Sequence, residues 1–127
     1  MTAAVDAVGA QAGSISQMIG DVLLQVVEHV PGGGTLRTGQ GYLVSDYPVT
    51  QDVLSAGRPR LVSLADDEPD EAEAALLRGL GYDALLMLPL VADGAVWGLV
   101  ELYASARRFD DADVAAAESA LGDALAG

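Results

Sequence analysis

The chain has 127 residues, enough for one domain with a real core but too few for two, and its 51% hydrophobic content favours a folded globular protein. Nineteen acidic residues against six basic ones give a formal net charge of −13, which disfavours binding to nucleic acid or to anionic membranes. The sequence contains no cysteine, which excludes disulfides, thiolate metal sites and thiol catalysis.

The N-terminus lacks the basic start of a signal peptide, and the apolar runs are too short to span a bilayer. A cytoplasmic protein without membrane contact is therefore expected. Residues 1–13 are small and weakly patterned, which predicts a flexible N-terminal tail. The remaining residues, 14–127, are expected to form a single domain.

Residues 14–30 carry apolar side chains at alternating spacings of four and three: Ile15, Ile19, Val22, Val26 and Val30. This spacing predicts an amphipathic helix that Pro31 and the following glycines terminate. The apolar stripe is wider than one packing partner requires. The helix is therefore expected to contact a second subunit as well as its own domain.

The middle of the chain alternates short elements. Residues 34–46 contain short β-like stretches interrupted by glycine. Thr50 is expected to cap a short helix that Gly57 terminates, and the sequence PRLVSL reads as a strand. The acidic run after this strand leads into another helix, with Pro69 in its first turn and an apolar face made of Leu76, Leu77 and Leu80.

Residues 85–103, LLMLPLVADGAVWGLVELY, predict a β-hairpin, because Asp93-Gly94 favours a two-residue type I′ turn. This turn pairs Ala92 with Ala95, Leu90 with Trp97, and Leu88 with Leu99. Strand alternation then assigns the side chains to two faces. One face is expected to carry Leu85, Met87, Pro89, Val91, Val96, Gly98, Val100 and Leu102, and the other Leu86, Leu88, Leu90, Trp97, Leu99, Glu101 and Tyr103.

Both faces of this hairpin are apolar, so both must be covered. Burying one Leu or Val contributes roughly 1.5–3 kcal/mol, and an exposed face would forfeit on the order of 10 kcal/mol. A final helix is predicted from near Asp110, with Asp113 completing a variant of the capping box and an apolar stripe at Val114, Ala117, Leu121 and Leu125. The fold class is therefore α+β: a central antiparallel sheet with the terminal helices on one face and short helices and loops on the other.

The order of three segments resembles the GAF domain family. These segments are YPVTQDVLSAGRPRLVSL, GYDALLMLPLVADGAVWGLVELY and RRFDDADVAAAESALGDAL, and the resemblance covers about residues 39–126. It implies a sheet with both terminal helices on one face and a small-molecule pocket under the middle helices on the other. Bacterial relatives commonly accompany histidine kinase, diguanylate cyclase or transcription-regulator domains, which implies signal transduction.

The sequence departs from several ligand-binding members of that family. Ala104 and Ser105 stand where cyclic-nucleotide-binding members have Asn-Lys, and Val114 replaces a Glu, although Phe109 and Asp113 match. Bilin-binding members and the free methionine sulfoxide reductases of this fold need cysteines. Heme-binding members use a histidine, but the single histidine, His29, is far in sequence from the pocket elements and is interpreted as compensating a helix dipole.

Glu101 is the most informative polar residue, because a carboxylate on an otherwise apolar face lies either in water at the end of the sheet or in a polar pocket. The expected pocket residues are Tyr82, Leu86, Leu88, Trp97, Glu101 and Tyr103. The expected dimer interface is Ile15, Ile19, Val22, Val26, Leu121 and Leu125. No residue pattern predicts a catalytic site, a metal site or a cofactor.

Two functions remain open at this stage. In the first, the protein is a non-catalytic sensor domain that binds a small molecule, dimerises through its terminal helices and controls an output domain. In the second, side chains fill the pocket, and the domain serves as a ligand-free dimerisation or protein interaction module.

Overall fold

The computed structural model describes residues 2–30, 41–66, 69–105 and 108–126. Four helices and six strands occur in these ranges. The helices are α1 (Thr2–Val8), α2 (Pro48–Ala56), α3 (Glu71–Leu80) and α4 (Asp111–Ala126). The strands are β1 (Ala12–Ile19), β2 (Val22–His29), β3 (Gly41–Leu43), β4 (Arg60–Ser63), β5 (Ala84–Ala92) and β6 (Ala95–Ala104), and a 3-10 turn covers Val44–Asp46.

The six strands form one antiparallel sheet in the order β3-β2-β1-β6-β5-β4. Its two central strands, β1 and β6, pair although they are distant in sequence, so the β1–β2 hairpin is joined to the β5–β6 hairpin. The predicted α+β class with a central antiparallel sheet is confirmed. Residues 34–40 of the uncertain region lie outside the described residues, and the rest of it forms β3 and the 3-10 turn.

Two separate apolar cores confirm that both faces of the β5–β6 hairpin are covered. Helices α1 and α4 lie over one face, where Leu86, Leu88 and Val100 are buried together with Phe109 and Leu121. Helices α2 and α3 belong to the core on the other face. That second core includes Val53, Leu77, Leu85, Met87, Leu99 and Tyr103.

The β5–β6 turn forms as predicted, with positive φ at both Asp93 (53°) and Gly94 (78°), and Ala92 pairs with Ala95. The register then shifts between Leu90 and Val91, so that Leu90 pairs with Gly98 and Trp97 is the extra residue of a bulge. The predicted pairs beyond the first are therefore wrong by one residue. Because strand side chains alternate, the bulge also reverses the relative assignment of the two strands to the two faces.

Residues 14–30 form a β-hairpin, and the predicted amphipathic helix is wrong. Ile19 pairs with Val22 across the two-residue turn Gly20-Asp21, with Gly20 at a φ of 59°. Ile15 and Ile19 share a face in a strand as they do in a helix, because a separation of four residues is even. The spacing therefore could not separate the two structures, whereas the glycine turn and the β-branched side chains favour strands.

The predicted flexible tail is also wrong, because residues 2–8 form α1. Ala4, Val5 and Val8 are buried against the core beneath α4. Their spacing fills a single helical turn, which is too short to stand out as a repeated pattern in a sequence. Alanine has high helix propensity, and packing on α4 supplies the remaining stabilisation.

Helix ends agree with the predictions in part. Gly57 terminates α2 and Gly81 terminates α3, both in the left-handed conformation. Asp110 and Asp113 exchange reciprocal hydrogen bonds of 2.9 Å at the start of α4, as the capping box requires.

Other ends differ from the predictions. Thr50 is not the cap of α2 but a buried residue inside it, because the helix begins at Pro48. Asp70, not Pro69, marks the start of α3, where its carboxylate accepts a hydrogen bond from the Glu73 backbone. His29 ends β2 and has no helix dipole to compensate.

Gly98 lies where β6 pairs with β1, and the backbone of β1 leaves no room for a side chain there. A Cβ on Gly98 would lie 2.5 Å from the Ser16 carbonyl oxygen, which belongs to the backbone of the neighbouring strand. We expect Gly98→Ala to lower the free energy of unfolding by about 1–3 kcal/mol. The matched control is Gly122→Ala, an exposed position in α4 with nothing within 4 Å, which should stabilise by about 0.5–1 kcal/mol.

Urea unfolding followed by circular dichroism measures both free energies. Equal stabilities for Gly98→Ala and the parent chain would show that β1 and β6 can separate at this point without loss.

Candidate functional site

A polar cavity lies between the sheet and the layer formed by α2, α3 and the 3-10 turn. Its lining residues come from β2, β3, β6 and the covering helices: Leu23, Gln25, Tyr42, Val44, Tyr47, Thr50, Leu76, Glu101 and Tyr103. The open space, including the mouth, is about 350 Å³, but a water-sized sphere can occupy only about 20 Å³ of it. Since one water needs about 10–15 Å³ by the same measure, the cavity as it stands admits a very small group.

Glu101 occupies the floor of this cavity, in the middle of the sheet. Strand alternation places it on the same face as Leu99 and Tyr103, and β1 pairs alongside it through Ser14. The Tyr103 hydroxyl donates to Glu101 Oε2 at 3.2 Å. Burial, together with the Glu73 carboxyl, raises the pKa of Glu101 to about 8, while the hydrogen bond from Tyr103 opposes the rise. Of the two alternatives for Glu101, the structure therefore selects the polar pocket.

Glu73 is a second buried carboxyl beside the cavity, and it lies on α3. Its side chain is fully buried, and Thr50, which lines the cavity, donates a hydrogen bond of 2.6 Å to Glu73 Oε1. The other oxygen, Oε2, is buried without a hydrogen-bond partner among the described residues. Burial raises the pKa of Glu73, and Asp70 adds to this effect, while the bond from Thr50 opposes it.

Tyrosines provide the aromatic part of the cavity. Tyr42 and Tyr47 meet edge to face with ring centroids 5.9 Å apart, and Tyr103 packs against Tyr82 at 5.4 Å. The pKa of Tyr103 is raised well above its ordinary value by burial and then by Glu101. Burial likewise raises the pKa of Tyr47, with contributions from Tyr42, Glu73, Asp46 and Glu101.

Three of the six predicted pocket residues lie at or beside this cavity. Glu101 and Tyr103 line it, and Tyr82 contacts the ring of Tyr103. Leu86 and Leu88 are instead buried in the core under α1 and α4, on the opposite face of the sheet. Trp97 lies at the bulge with 39% of its surface exposed and does not line the cavity.

The residues that sequence reasoning missed come from segments read as helix or loop. Leu23 and Gln25 face the cavity because 14–30 is a hairpin, and Tyr42 and Tyr47 reach it from β3 and from the residue before α2. Glu73 resembled a solvated residue of an acidic helix start. The sequence did contain a signal for burial. Glu73 lies four residues before Leu77, which places both side chains on the same side of α3.

The predicted dimer residues do not form one surface. Leu121 is buried in the core under α4, and Ile15 packs at the margin of that core. Ile19, Val22 and Val26 are exposed on the β1–β2 hairpin. Leu125 lies in α4, and its side chain is outside the described part. The predicted interface between helices is therefore wrong, because residues 14–30 form the strands β1 and β2 and not a helix.

Comparison with known families identifies the architecture. The model of the GAF domain family matches residues 1–127, the whole chain. The chain belongs to the GAF family. The match includes the segment that forms α1, in agreement with its place in the core. No curated protein matches the sequence significantly.

Solved GAF domains have the same fold at low sequence identity. The blue-light-absorbing form of the Thermosynechococcus elongatus PixJ GAF domain aligns with a TM-score of 0.74 and 16% identity, covering 92% of this chain and 73% of that one. A phycocyanobilin-bound GAF domain from a cyanobacterial phytochrome gives 0.77 and 18%, covering 98% and 80%. The GAF domain of a Bacillus halodurans two-component sensor histidine kinase gives 0.72 and 16%, covering 92% and 82%.

The described residues of this GAF domain contain no group of three or more metal-ligating side chains. Among the helices in the described ranges, none is long and apolar enough to cross a membrane. The chemically distinctive feature is the pair of buried carboxyls, Glu73 and Glu101, beside the tyrosine-lined cavity.

The ionisation of Glu101 should make stability depend on pH. Its pKa of about 8 in the folded state lies above the ordinary value of 4.5, so the folded protein retains a proton that the unfolded chain loses between these values. Its contribution is fully present below about pH 4.5 and declines as the pH rises to about 8. Glu101→Gln removes this decline, and its stability relative to the parent should rise by at most about 5 kcal/mol across the interval.

Urea unfolding at a series of pH values measures this difference, with Glu118→Gln, an exposed change on α4, as the control. Parallel stability curves for the parent chain and Glu101→Gln would contradict the assignment of a buried, protonated Glu101.

Proposed function

We propose that this GAF domain is a non-catalytic regulatory module of signal transduction that binds a small molecule in the cavity above Glu101 and controls an output domain. One observation carries this proposal. Polar groups of Thr50, Glu101 and Tyr103 meet at a cavity between the sheet and the helices α2 and α3, where the surrounding core is apolar. Structural cores rarely bury two carboxyls, since each loses hydration without a compensating charge. A ligand that supplies the missing partners gives the arrangement a physical purpose.

The structural relatives support a sensory role by analogy. One is bound to phycocyanobilin, and another belongs to a sensor histidine kinase. A bilin cannot be attached here through a thioether, because the sequence has no cysteine. Ala104 and Val114, which replace residues of the cyclic-nucleotide motif, belong to the core under α1 and α4 on the other face of the sheet. These differences favour another class of ligand.

The sheet offers a route from the cavity to the terminal helices. Strand β6 carries Glu101 and Tyr103 on the cavity face and Val100 and Leu102 on the face covered by α1 and α4. A ligand that moves β6 therefore acts on the core that α4 shares. Suppose that the terminal helices can pack on the sheet in two arrangements. A ligand shifts the population from one to the other only if it binds the two with different affinities.

Filling the cavity should abolish ligand binding without unfolding the domain. Leu76 lines the cavity from α3 and is half-buried, so the side chain of Leu76→Trp can enter the open space. Native mass spectrometry of gently purified parent protein should show a reproducible mass excess per chain. Leu76→Trp should lose this excess together with any stabilisation by the retained compound.

The matched control is Ala75→Trp, an exposed position on the same helix, which should retain the ligand. Equal retention by both variants would place binding elsewhere. A bare parent chain, with no compound from a cell extract raising its melting temperature, would overturn the sensor function.

A second candidate function is self-association through an exposed apolar patch. Ile19, Val22 and Val27 are 55%, 39% and 44% exposed. Their register places them on the sheet face that also carries Ile15, beside the core under α1 and α4. We define these three residues as the hairpin patch. Contact with a second copy would remove this apolar surface from water.

Introducing a charge into the hairpin patch should break such an assembly. We expect Val22→Glu to weaken dimerisation by more than about tenfold, because a carboxylate would be buried without a partner. Analytical ultracentrifugation over a range of concentrations measures the change. Asp21→Glu, in the adjacent turn, is the control. A dimer of unchanged affinity in Val22→Glu would exclude the patch as the interface.

A further inference from the structure

The polar groups around the cavity define the chemical class of its ligand, an inference that rests on the proposed sensor function. We infer that the cavity binds the ammonium group of a small organic amine. The group would lie between the floor of the sheet at Glu101 and the Thr50–Glu73 pair on the covering helices.

Two buried oxygens on residues that border the cavity lining, without belonging to it, have no hydrogen-bond partner among the described residues. One is Glu73 Oε2, on a fully buried side chain. The other is Ser14 Oγ, on the residue directly opposite Glu101 in the β1–β6 pairing. Residues opposite each other in an antiparallel pair lie on the same face with Cβ atoms about 5 Å apart. Ser14 therefore places an oxygen on the same face of the sheet as Glu101, beside the cavity lining.

A ligand that satisfies these oxygens must supply several donors. Glu101, Glu73 and Ser14 all carry oxygen atoms that accept hydrogen bonds, and an ammonium group has three donors and no acceptor. The three donors of an ammonium group therefore correspond to the three residues that offer acceptor oxygens. A carboxylate or phosphate could accept hydrogen bonds here only while Glu101 and Glu73 keep their protons, and it would be repelled once either carboxyl ionises.

The tyrosines complete a site suited to a cation. Tyr42, Tyr47 and Tyr103 all line the cavity. The negative face of an aromatic ring attracts an ammonium group within about 6 Å, most strongly where water is displaced. An aromatic lining with carboxyls at its base is a chemical arrangement that favours alkylammonium ions over neutral alcohols of the same shape.

Charge and space agree with this assignment. No arginine lines the cavity within the described ranges, and the chain as a whole has a net charge of −13, which raises the local concentration of cations. The space of about 20 Å³ for a water-sized sphere fits an ammonium group. The alkyl part of the amine then lies against the apolar side chains of the lining, among them Val44 and Leu76.

Binding should be coupled to proton release. Glu101 faces Tyr103 on its own strand and Glu73 from α3; Glu73 in turn interacts with Asp70, and Tyr47 and Tyr42 act on the same cluster. Burial raises the pKa of Glu101 to about 8, so near neutral pH the empty site holds a proton that an ammonium ion displaces. The affinity for an amine should therefore increase as the pH rises toward about 8.

The experiment is a calorimetric titration of the full chain with propylammonium chloride. Propan-1-ol, sodium propanoate and potassium chloride serve as the neutral, anionic and inorganic comparisons. We expect saturable binding of propylammonium alone, an affinity that rises from about pH 6 to about pH 8, and proton release that appears as a dependence of the heat on the buffer's ionisation enthalpy. Glu101→Gln should weaken binding at least tenfold, and Leu76→Trp should abolish it.

Glu118→Gln makes the same substitution on the exposed surface of α4, where it removes a negative charge, and it controls for non-specific attraction of cations. An equal loss of affinity in Glu118→Gln, or equal binding of potassium, would overturn the amine site. Saturable binding of propanoate or propanol that Leu76→Trp abolishes would also overturn it, while the sensor function would stand. If no probe binds but mass spectrometry finds a retained ligand of another class, the amine site is overturned and the sensor function stands.

Discussion

The β5–β6 hairpin is buried on both faces, and this constraint organises the rest of the domain. Leu86, Leu88 and Val100 point to one core and Leu85, Met87 and Leu99 to the other. Neither face could remain exposed without losing on the order of 10 kcal/mol of hydrophobic stabilisation. Two layers must therefore cover one sheet. The short helix α1 has a role for the same reason, since it completes the cover that α4 begins.

Glu101 departs from this apolar pattern at the centre of the sheet. Its neighbours in the strand, Val100 and Leu102, are fully buried, and its own side chain is 9% exposed. Tyr103 supplies one hydrogen bond, and Glu73 adds a second carboxyl where a positive partner would stabilise it. A fold chosen for stability alone would favour an apolar residue here. The proposed ligand would supply the positive partner that this pair of carboxyls lacks.

Strand β6 connects the two sides of the molecule. It carries the polar floor of the cavity on one face and the packing surface of the terminal helices on the other. Strands β1 and β2 carry exposed apolar side chains beside the core that α1 and α4 cover. The hairpin patch of Ile19, Val22 and Val27 lies there. Ligand binding and self-association would therefore involve opposite faces of one continuous sheet.

The amino-acid sequence alone predicts the fold class, the need for two covers, the type I′ turn at Asp93-Gly94 and the capping box at the start of α4. These features depend on local chemistry: turn conformation, capping hydrogen bonds and the total amount of apolar surface. The significance of Glu101 could also be read from the sequence, because a carboxylate in an apolar strand is conspicuous.

The β1–β2 hairpin, the bulge and the cavity depend on pairing between distant segments. Only the tertiary structure shows them. The spacing of Ile15, Ile19 and Val22 suits a helix or a hairpin equally, and pairing of β1 with β6 selects the hairpin. The bulge at Trp97 shifts the pairing of β5 with β6 by one residue. Leu86 and Leu88 therefore lie on the sheet face opposite to Glu101 and Tyr103, away from the cavity. A bulge has no fixed sequence signature, and one extra residue reverses the face of every side chain beyond it. The site is therefore assembled from β2, β3, β6, α2 and α3 by long-range packing that no local pattern specifies.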